Sequence, residues 1–176
     1  MLDKLTKAAF DDTDIDLSEI PNLDLYMDQI LTLIDDGLSK NKRLDNEKIL
    51  TKTMINNYSK ENIITPIKGK KYSKKQIIQL LCIINLKPNL SLADIKSIVK
   101  ANENDTLDIE KAYNNYLRLK SEMSKSLIKI VDEQFGNMND LSDAETVLSI
   151  ALCISSGATY LRRLCEQIAD ISKQEA

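Results

Sequence analysis

The sequence predicts a mainly all-α fold with a single short two-stranded ribbon. The 176-residue chain has only four glycines and three prolines, so it has few places to turn, and long helices are favoured over a sandwich of short strands. With two phenylalanines and no tryptophan, helix packing is expected to be largely aliphatic. Apolar residues make up 43% of the chain and charged residues 29%, which is typical of a globular protein that buries a core.

The first part of the chain contains an acidic segment and then a helix. Residues 1–20 are weakly periodic and rich in acids, so we interpret them as an acidic N-terminal arm, either mobile or loosely docked as a first helix. After Pro21, apolar residues recur at helical spacing, which predicts a helix over 23–36 that Gly37 ends. The polar, basic residues 39–46 are predicted to form a loop.

A short helix and a ribbon follow this loop. Thr51 is a good N-cap for a helix over 52–61, and Asn62 tolerates the left-handed conformation that helix ends require. Residues 63–65 and 70–72 then flank a turn that contains proline and glycine, and this length allows only a two-stranded ribbon. We interpret the ribbon as a wing.

Two capped helices come after the ribbon. Ser73 and Gln76 have the spacing of a capping box for a helix over 74–87, which is apolar almost all round and is therefore predicted to be central. Ser91 caps a shorter helix over 92–100. The order helix, short helix, ribbon and helix pair predicts a winged helix-turn-helix.

The polar stretch 102–106 is the predicted domain boundary. It leaves the acidic arm over 1–20, a winged helix-turn-helix domain over 21–101, and a C-terminal helical region for dimerisation or effector binding over 102–176.

The C-terminal region is predicted to contain two helices that form a hairpin. The first, over 107–135, would be about 43 Å long at the standard helical rise. The second begins at a capping box of Ser142 and Glu145 and reaches about Ser172.

The composition argues against catalytic and metal chemistry. Histidine is absent, which removes the commonest general base, nucleophile–histidine pairs and histidine-ligated metals. Cys82, Cys153 and Cys165 lie far apart in apolar runs, so we interpret them as small hydrophobic residues in a reducing compartment. No carboxylate pair, glycine-rich phosphate loop or cysteine nucleophile setting is recognised. We therefore predict no enzyme activity, no metal site and no cofactor.

Hydropathy bears on where the protein is found. Met1–Phe10 lacks the apolar core of a signal peptide. No run of about 18 uncharged apolar residues is present to span a membrane. We expect a cytoplasmic protein without a membrane partner.

Charge is distributed unevenly along the chain, although the net charge is only −3. Residues 40–75 carry eleven basic residues against three acids, a net charge of +8, whereas residues 1–39 carry two lysines against ten acids, a net charge of −8. A local basic patch of this kind is typical of nucleic-acid binding. The alternative is an ordinary solvated face.

The order of parts resembles the MerR-type transcription regulators over about residues 48–100. Four segments carry the resemblance: 50–58 (LTKTMINNY) is similar to their recognition helix, 62–66 (NIITP) to their Gly-Leu-Leu/Ile-x-Pro exit, 68–72 (KGKKY) to their wing, and 90–95 (LSLADI) to their last helix. Asn56 stands where these regulators usually carry an arginine that helps to hold the phosphate backbone. The loop over 37–46 is longer than theirs, and the wing is shorter and uses lysine in place of arginine.

Two segments resemble a second family more closely. Residues 25–29 (LYMDQ) and 51–58 (TKTMINNY) resemble a bacterial family known only as a domain of unknown function. This resemblance extends over most of the chain but implies no activity.

The MerR-type resemblance implies a sequence-specific regulator that binds double-stranded DNA. Short polar side chains near the start of a recognition helix can reach base edges, and flanking cations can hold phosphates. The residues predicted to contact DNA are Thr51, Lys52, Thr53, Asn56, Asn57, Lys60, Lys68, Lys70, Lys71 and Lys74. Tyr58 and Tyr72 are predicted to be core anchors under the wing. The alternative function is a helical protein–protein adaptor that does not touch DNA, which scattered lysines would favour.

The same resemblance implies a homodimer. In MerR-type regulators the helix after the DNA-binding domain pairs with its twin, and the helix over 107–135 occupies that position. The residues predicted to form the interface are Tyr113, Tyr116, Leu119, Met123 and Leu127. The alternative is a core helix packed against the last helix of its own chain, and the two roles are compatible.

Overall fold

A computed structural model of the chain describes residues 2–67, 69–99, 107–138 and 141–174. These residues form seven α-helices, one 3₁₀-helix and one two-stranded antiparallel sheet, which confirms the predicted mainly helical class with a tiny ribbon. In chain order the elements are α1 (Leu2–Ala9), β1 (Leu25–Tyr26), α2 (Met27–Gly37), a 3₁₀-helix (Ser39–Asn41), α3 (Lys52–Lys60), β2 (Lys71–Tyr72), α4 (Lys74–Leu86), α5 (Leu92–Val99), α6 (Ile109–Phe135) and α7 (Ala144–Gln174).

Helix α4 is the central element, as its sequence predicted. Seven of the eight residues from Gln76 to Ile83 are buried, because the helix packs against α5, α6 and β2. Its N-terminus has the predicted capping box, in which the Ser73 amide donates to Oε1 of Gln76 at 2.7 Å. Tyr58 and Tyr72 are both 3% exposed and belong to the same core, which confirms them as core anchors.

The acidic N-terminal segment packs against the rest of the protein. Ile15 is 2% exposed and lies in the main core. The hydroxyl of Thr13 donates to the carbonyl of Gly37 at 2.8 Å. A Cβ at Gly37 would lie 2.6 Å from the Ile15 side chain, so the end of α2 accepts only glycine without a rearrangement. The sequence suggested a mobile or loosely docked arm because its three buried apolar residues are widely spaced among acids and form no periodic pattern. These residues are Leu2, Ile15 and Ile20.

The sheet pairs different strands from those that the sequence suggested. Strand β2 pairs with β1, with Leu25 opposite Tyr72 and Tyr26 opposite Lys71, and not with residues 63–65. The predicted first helix therefore starts later than expected: Leu25 and Tyr26 form β1, and α2 begins only at Met27. The backbone of residues 65–66 is hydrogen-bonded to side chains of α4, and a proline has no amide to add to a ladder.

The two long C-terminal helices do not form the predicted hairpin. Within the described residues, α6 packs against α4 and α1, whereas α7 packs against α5. Lys173 reaches Asp94 of α5 at 2.6 Å, and the Ser97 hydroxyl donates to the carbonyl of Ala169 at 3.3 Å. Helix α7 begins after Asp143, whose carboxylate accepts from the Thr146 amide at 2.8 Å, and not at the predicted Ser142. The predicted boundary at 102–106 lies outside the described residues.

Helix α7 is long and apolar enough to cross a membrane, as judged by length and composition. One 18-residue window between Ala144 and Lys173 has a mean hydropathy of 1.3 and at most two charged residues, and only 6% of it is buried. The sequence analysis looked only for runs of about 18 residues without any charge. The longest uncharged run in α7, from Thr146 to Leu161, is shorter than that.

Candidate nucleic-acid interface

Helix α3 presents one polar face to solvent. Its N-terminus is capped as predicted, because the Thr51 side chain accepts a hydrogen bond from the Met54 amide at 3.2 Å. Ile55 and Tyr58 are buried and hold the helix on the core. At 3.6 residues per turn, the exposed polar side chains fall within an arc of about 140° on the opposite side, whereas Ser59 is half-buried. All five are exposed: Lys52, Thr53, Asn56, Asn57 and Lys60.

The small sheet lies next to the N-terminus of α3. Lys71 and Tyr26 are paired across the two strands, and Nζ of Lys71 lies 5.0 Å from the centroid of the Tyr26 ring. Two residues beyond Tyr26, the carboxylate of Asp28 binds Nζ of Lys52 at 2.6 Å. These contacts form a continuous path from β2 to the first turn of α3, so Lys71 and Lys52 belong to neighbouring parts of one surface.

Two buried glutamines of α4 hold the segment that leads into the ribbon. Gln76 donates from Nε2 to the carbonyls of Thr65 and Pro66 at 3.1 and 2.9 Å. Oε1 of Gln79 accepts from the amide and the hydroxyl of Thr65 at 3.0 and 3.1 Å. Asn62, at the end of α3, has a φ of 51°, which confirms the predicted left-handed position. The chain between α3 and β2 is thus anchored by side chains, as buried polar groups require.

The basic segment is partly neutralised by acids from the N-terminal part of the chain. Lys42 binds Asp35 at 2.7 Å and is only 12% exposed, and its hydrogen bond holds the pKa of Asp35 below the usual value. Lys40 similarly binds Asp11 at 3.0 Å. By contrast, Lys60 and Lys70 are exposed and make no ion pair within the described part of the chain. Exposed cations without an ion pair in the described part of the chain therefore lie on α3 and beside β2, and also at Arg43 and Lys48 in the loop before α3.

The remaining predicted DNA contacts divide into two kinds. Lys74 is half-buried, lies 3.7 Å from Glu110 of α6 and donates to Asn22 at 3.3 Å, so it links elements of the fold and is not a free cation. Lys68 lies outside the described residues.

Two of the predicted dimer residues are core residues of the same chain. Tyr113 is 2% exposed, and its hydroxyl donates to the carbonyl of Ile15 at 2.9 Å. The hydroxyl of Tyr116 contacts Asn85 and Asp14 at 3.0 and 3.2 Å. These tyrosines hold the N-terminal segment, and Tyr113 has almost no exposed surface left for an interface. Of the other three, Leu119 and Met123 are about half exposed and Leu127 is half-buried.

The sequence did not indicate the polar network around Tyr116. Lys120 binds Asp12 and Asp14 at 2.5 and 2.6 Å. Burial lowers the pKa of Lys120, but the hydrogen bonds with the two carboxylates outweigh burial and raise it. The only available signal was the pair of acids in the arm, and nothing in their spacing identifies a lysine more than a hundred residues away as their partner.

The comparison with protein families identifies the family. The model of a family described as a domain of unknown function (DUF1836) matches residues 15–116, which is more than half of the chain. The chain belongs to this family. The match begins at the buried Ile15 and ends at Tyr116, so the DUF1836 domain includes the docked acidic segment, α2 to α5, the sheet and the start of α6.

The boundaries of the match differ from the predicted domains. The DUF1836 model covers both the exposed face of α3 and the network that ties Ile15 to Tyr113. Helix α1 and the whole of α7 lie outside it. No curated protein and no solved structure matches the chain.

Proposed function

We propose that this protein binds duplex DNA through the exposed face of α3 and the adjoining strand β2, and acts as a transcription regulator. The observation that carries the proposal is the arrangement of α3: a short, N-capped helix that presents two lysines, a threonine and two asparagines on one exposed face. Lys71 of neighbouring β2 extends this face. The resemblance to MerR-type regulators over 48–100 supports the same role.

The dimensions of α3 suit the major groove. An α-helix with its side chains is about 10–12 Å in diameter, and the major groove of B-form DNA, about 12 Å wide, admits one. Thr53, Asn56 and Asn57 carry short polar groups that can reach base edges, and asparagine can bind adenine with two hydrogen bonds. Lys52 and Lys60 lie at the two ends of the same face, where they would meet phosphates on either side of the groove.

The ion pair of Lys52 with Asp28 does not prevent a phosphate contact. Both side chains are largely exposed, at 60% and 77%, and an exposed ion pair contributes only about 0–1 kcal/mol. A DNA phosphate can therefore replace Asp28 at small cost. The same replacement is less favourable for Lys42, which is nearly buried against Asp35, so we place no phosphate contact at Lys42.

A salt titration with charge-matched variants tests the proposal. The triple variant Lys60→Ala, Lys70→Ala, Lys71→Ala removes three cations of the proposed face. Its control replaces Lys96, Lys111 and Lys125, which are exposed on α5 and α6. Because each phosphate contact adds about 0.9 to the slope of log K against log salt, we expect the first triple to bind all duplexes more weakly and to lose about 2–3 from the slope.

The wild type and the control triple together decide whether the protein binds DNA and whether it does so through the proposed face. We expect the control triple to keep the affinity and slope of the wild type. If the wild type binds no duplex DNA, the helical protein–protein adaptor takes the place of this proposal. If both triples lose affinity equally, DNA binding does not use the proposed face.

A further inference from the structure

Helix α7 carries an uninterrupted seven-residue repeat. Apolar residues or glycine recur with alternating spacings of three and four over 25 residues, about 37 Å of helix. The eight positions are Val147, Ile150, Ile154, Gly157, Leu161, Leu164, Ile168 and Ile171. A strict repeat of this kind is the pattern by which a helix pairs with another helix in a coiled coil.

Most of this stripe is exposed in the single chain. Six of the eight residues are between 42% and 58% exposed, Ile150 is buried, and Gly157 is half-buried. Helix α5 packs beside the stripe near the C-terminal end of α7, where Ala169 is fully buried and Cys165 contacts the core. The fold therefore orients α7 with its apolar repeat towards solvent, which is unfavourable for an isolated chain.

The residues beside the stripe are suited to a close helix pair. The flanking positions on one side are small: Ala151, Ala158, Cys165 and Ser172. On the other side are Cys153, Tyr160 and Gln167. All of them are uncharged, whereas the charged residues of α7 occupy the outer positions of the repeat: Glu145, Arg162, Arg163, Glu166, Asp170 and Lys173.

This charge distribution argues against a lipid partner. The uncharged run from Thr146 to Leu161 has 16 residues, and a spanning helix needs about 20. The next turns carry Arg162 and Glu166, which form an ion pair on the outer surface, and Lys173 bound to Asp94 of α5. A bilayer around α7 would have to enclose these charges and break the contact with α5.

We propose that α7 pairs with α7 of a second copy of this chain in an antiparallel coiled coil. A parallel pair would place Gly157 opposite its own copy and leave a gap in the centre of the stripe. An antiparallel pair centred near residue 159 places Gly157 opposite Leu161, and Ile154 opposite Leu164. The small residue of one helix then faces a large residue of the other, so no gap is left between the two helices. The opposed helix dipoles also favour this orientation.

The available area is sufficient for a stable pair. The exposed parts of the stripe and Tyr160 amount to roughly 700 Å² per chain, close to the ~800 Å² per partner of a standard interface. The proposal replaces the α6 interface expected from the sequence, since Tyr113 and Tyr116 are committed to the core of their own chain. It rests on α7 alone, so it stands or fails separately from DNA binding.

Light scattering with matched variants tests whether a second copy of the chain covers the stripe. We expect the wild type to be a dimer at tens of micromolar, and Leu164→Glu with Ile168→Glu to be a monomer with unchanged helix content, because both side chains are about half exposed. The control is Leu148→Glu with Leu152→Glu, on the same helix but outside the stripe and 60% exposed, which should remain a dimer. A monomeric wild type that floats with phospholipid vesicles, or a dimer that only Met123→Glu dissociates, overturns the proposal.

Cross-linking tests the orientation. In an antiparallel pair, residue 167 lies beside Cys153 of the second copy, whereas in a parallel pair they are 14 residues, about 21 Å, apart. In a Cys165→Ala background, we expect Gln167→Cys to give a covalent dimer with a short bis-maleimide, and Cys153→Ser to abolish it. Cys82 does not compete, since burial raises the pKa of its thiol to about 12. A dimer that fails to cross-link overturns the antiparallel arrangement.

Discussion

Nε2 of Gln76 donates a hydrogen bond to the carbonyl oxygen of Pro66 at 2.9 Å, from a side chain that is only 5% exposed. The same amide group also accepts from Ser73 at the start of α4 through Oε1. One side chain therefore caps the central helix and fixes the chain that enters the ribbon. This double role connects the core to the surface that we propose binds DNA.

Replacement of Gln76 by alanine should lower both stability and DNA binding. It leaves the Ser73 amide and the carbonyls of Thr65 and Pro66 without their partner in a part-buried setting, which costs about 1–3 kcal/mol of unfolding free energy. Urea unfolding measures this loss, and the variant should also bind DNA more weakly at a temperature where it remains folded.

The control for Gln76 is Gln29, which makes the same kind of capping bond to the Tyr26 amide at 2.9 Å but is exposed. We expect Gln29→Ala to lose clearly less stability, because water can replace an exposed partner. Equal losses in the two variants would show that burial of Gln76 adds nothing to its capping role.

Asn56 and Asn57 should determine sequence preference more than overall affinity. If α3 enters the major groove, replacement of either residue by alanine should relax preference at one or two base pairs and cost about 1–3 kcal/mol on the preferred site. Selection from a random duplex library, followed by affinity measurements on selected and scrambled sites, gives the result. Asn115→Ala, an exposed change on α6, is the control. A uniform loss on both kinds of site would limit the asparagines to backbone contacts.

Stability should fall as the pH rises above about 10. Burial, followed by the charge of Asp14, raises the pKa of Tyr113 and of Tyr116 above the ordinary value of 10.0. The folded protein then holds these protons more tightly than the unfolded chain does, so this contribution is present below pH 10 and is lost as the pH rises towards the folded pKa. Urea unfolding between pH 8 and 11 measures the loss.

Tyr116→Phe isolates the tyrosine effect. This variant should be less stable than the wild type at pH 8, because the contacts with Asn85 and Asp14 are gone, but its stability should decline less between pH 10 and 11. Tyr26→Phe, at a tyrosine that is 52% exposed, should keep the decline of the wild type. An unchanged decline in Tyr116→Phe would contradict the prediction.

Features that depend on neighbouring residues were predictable from the sequence. The N-cap at Thr51, the left-handed Asn62 and the capping box at Ser73 were predicted because each is a local interaction within a few residues. The central position of α4 also followed from its sequence, since a helix that is apolar almost all round is stable only when other elements surround it.

Which elements meet is a property of the folded chain. Strand β2 pairs with β1 across 45 to 47 positions, and Tyr116 reaches Asp14 across 102. Such contacts depend on the whole path of the chain and leave no periodic signal. The same limit explains the helix at the C-terminus: its apolar repeat is visible in the sequence, but the repeat is equally compatible with packing against α6. The contacts of Ala169 and Lys173 with α5 turn the repeat outwards, because a helix held on one side exposes the side opposite.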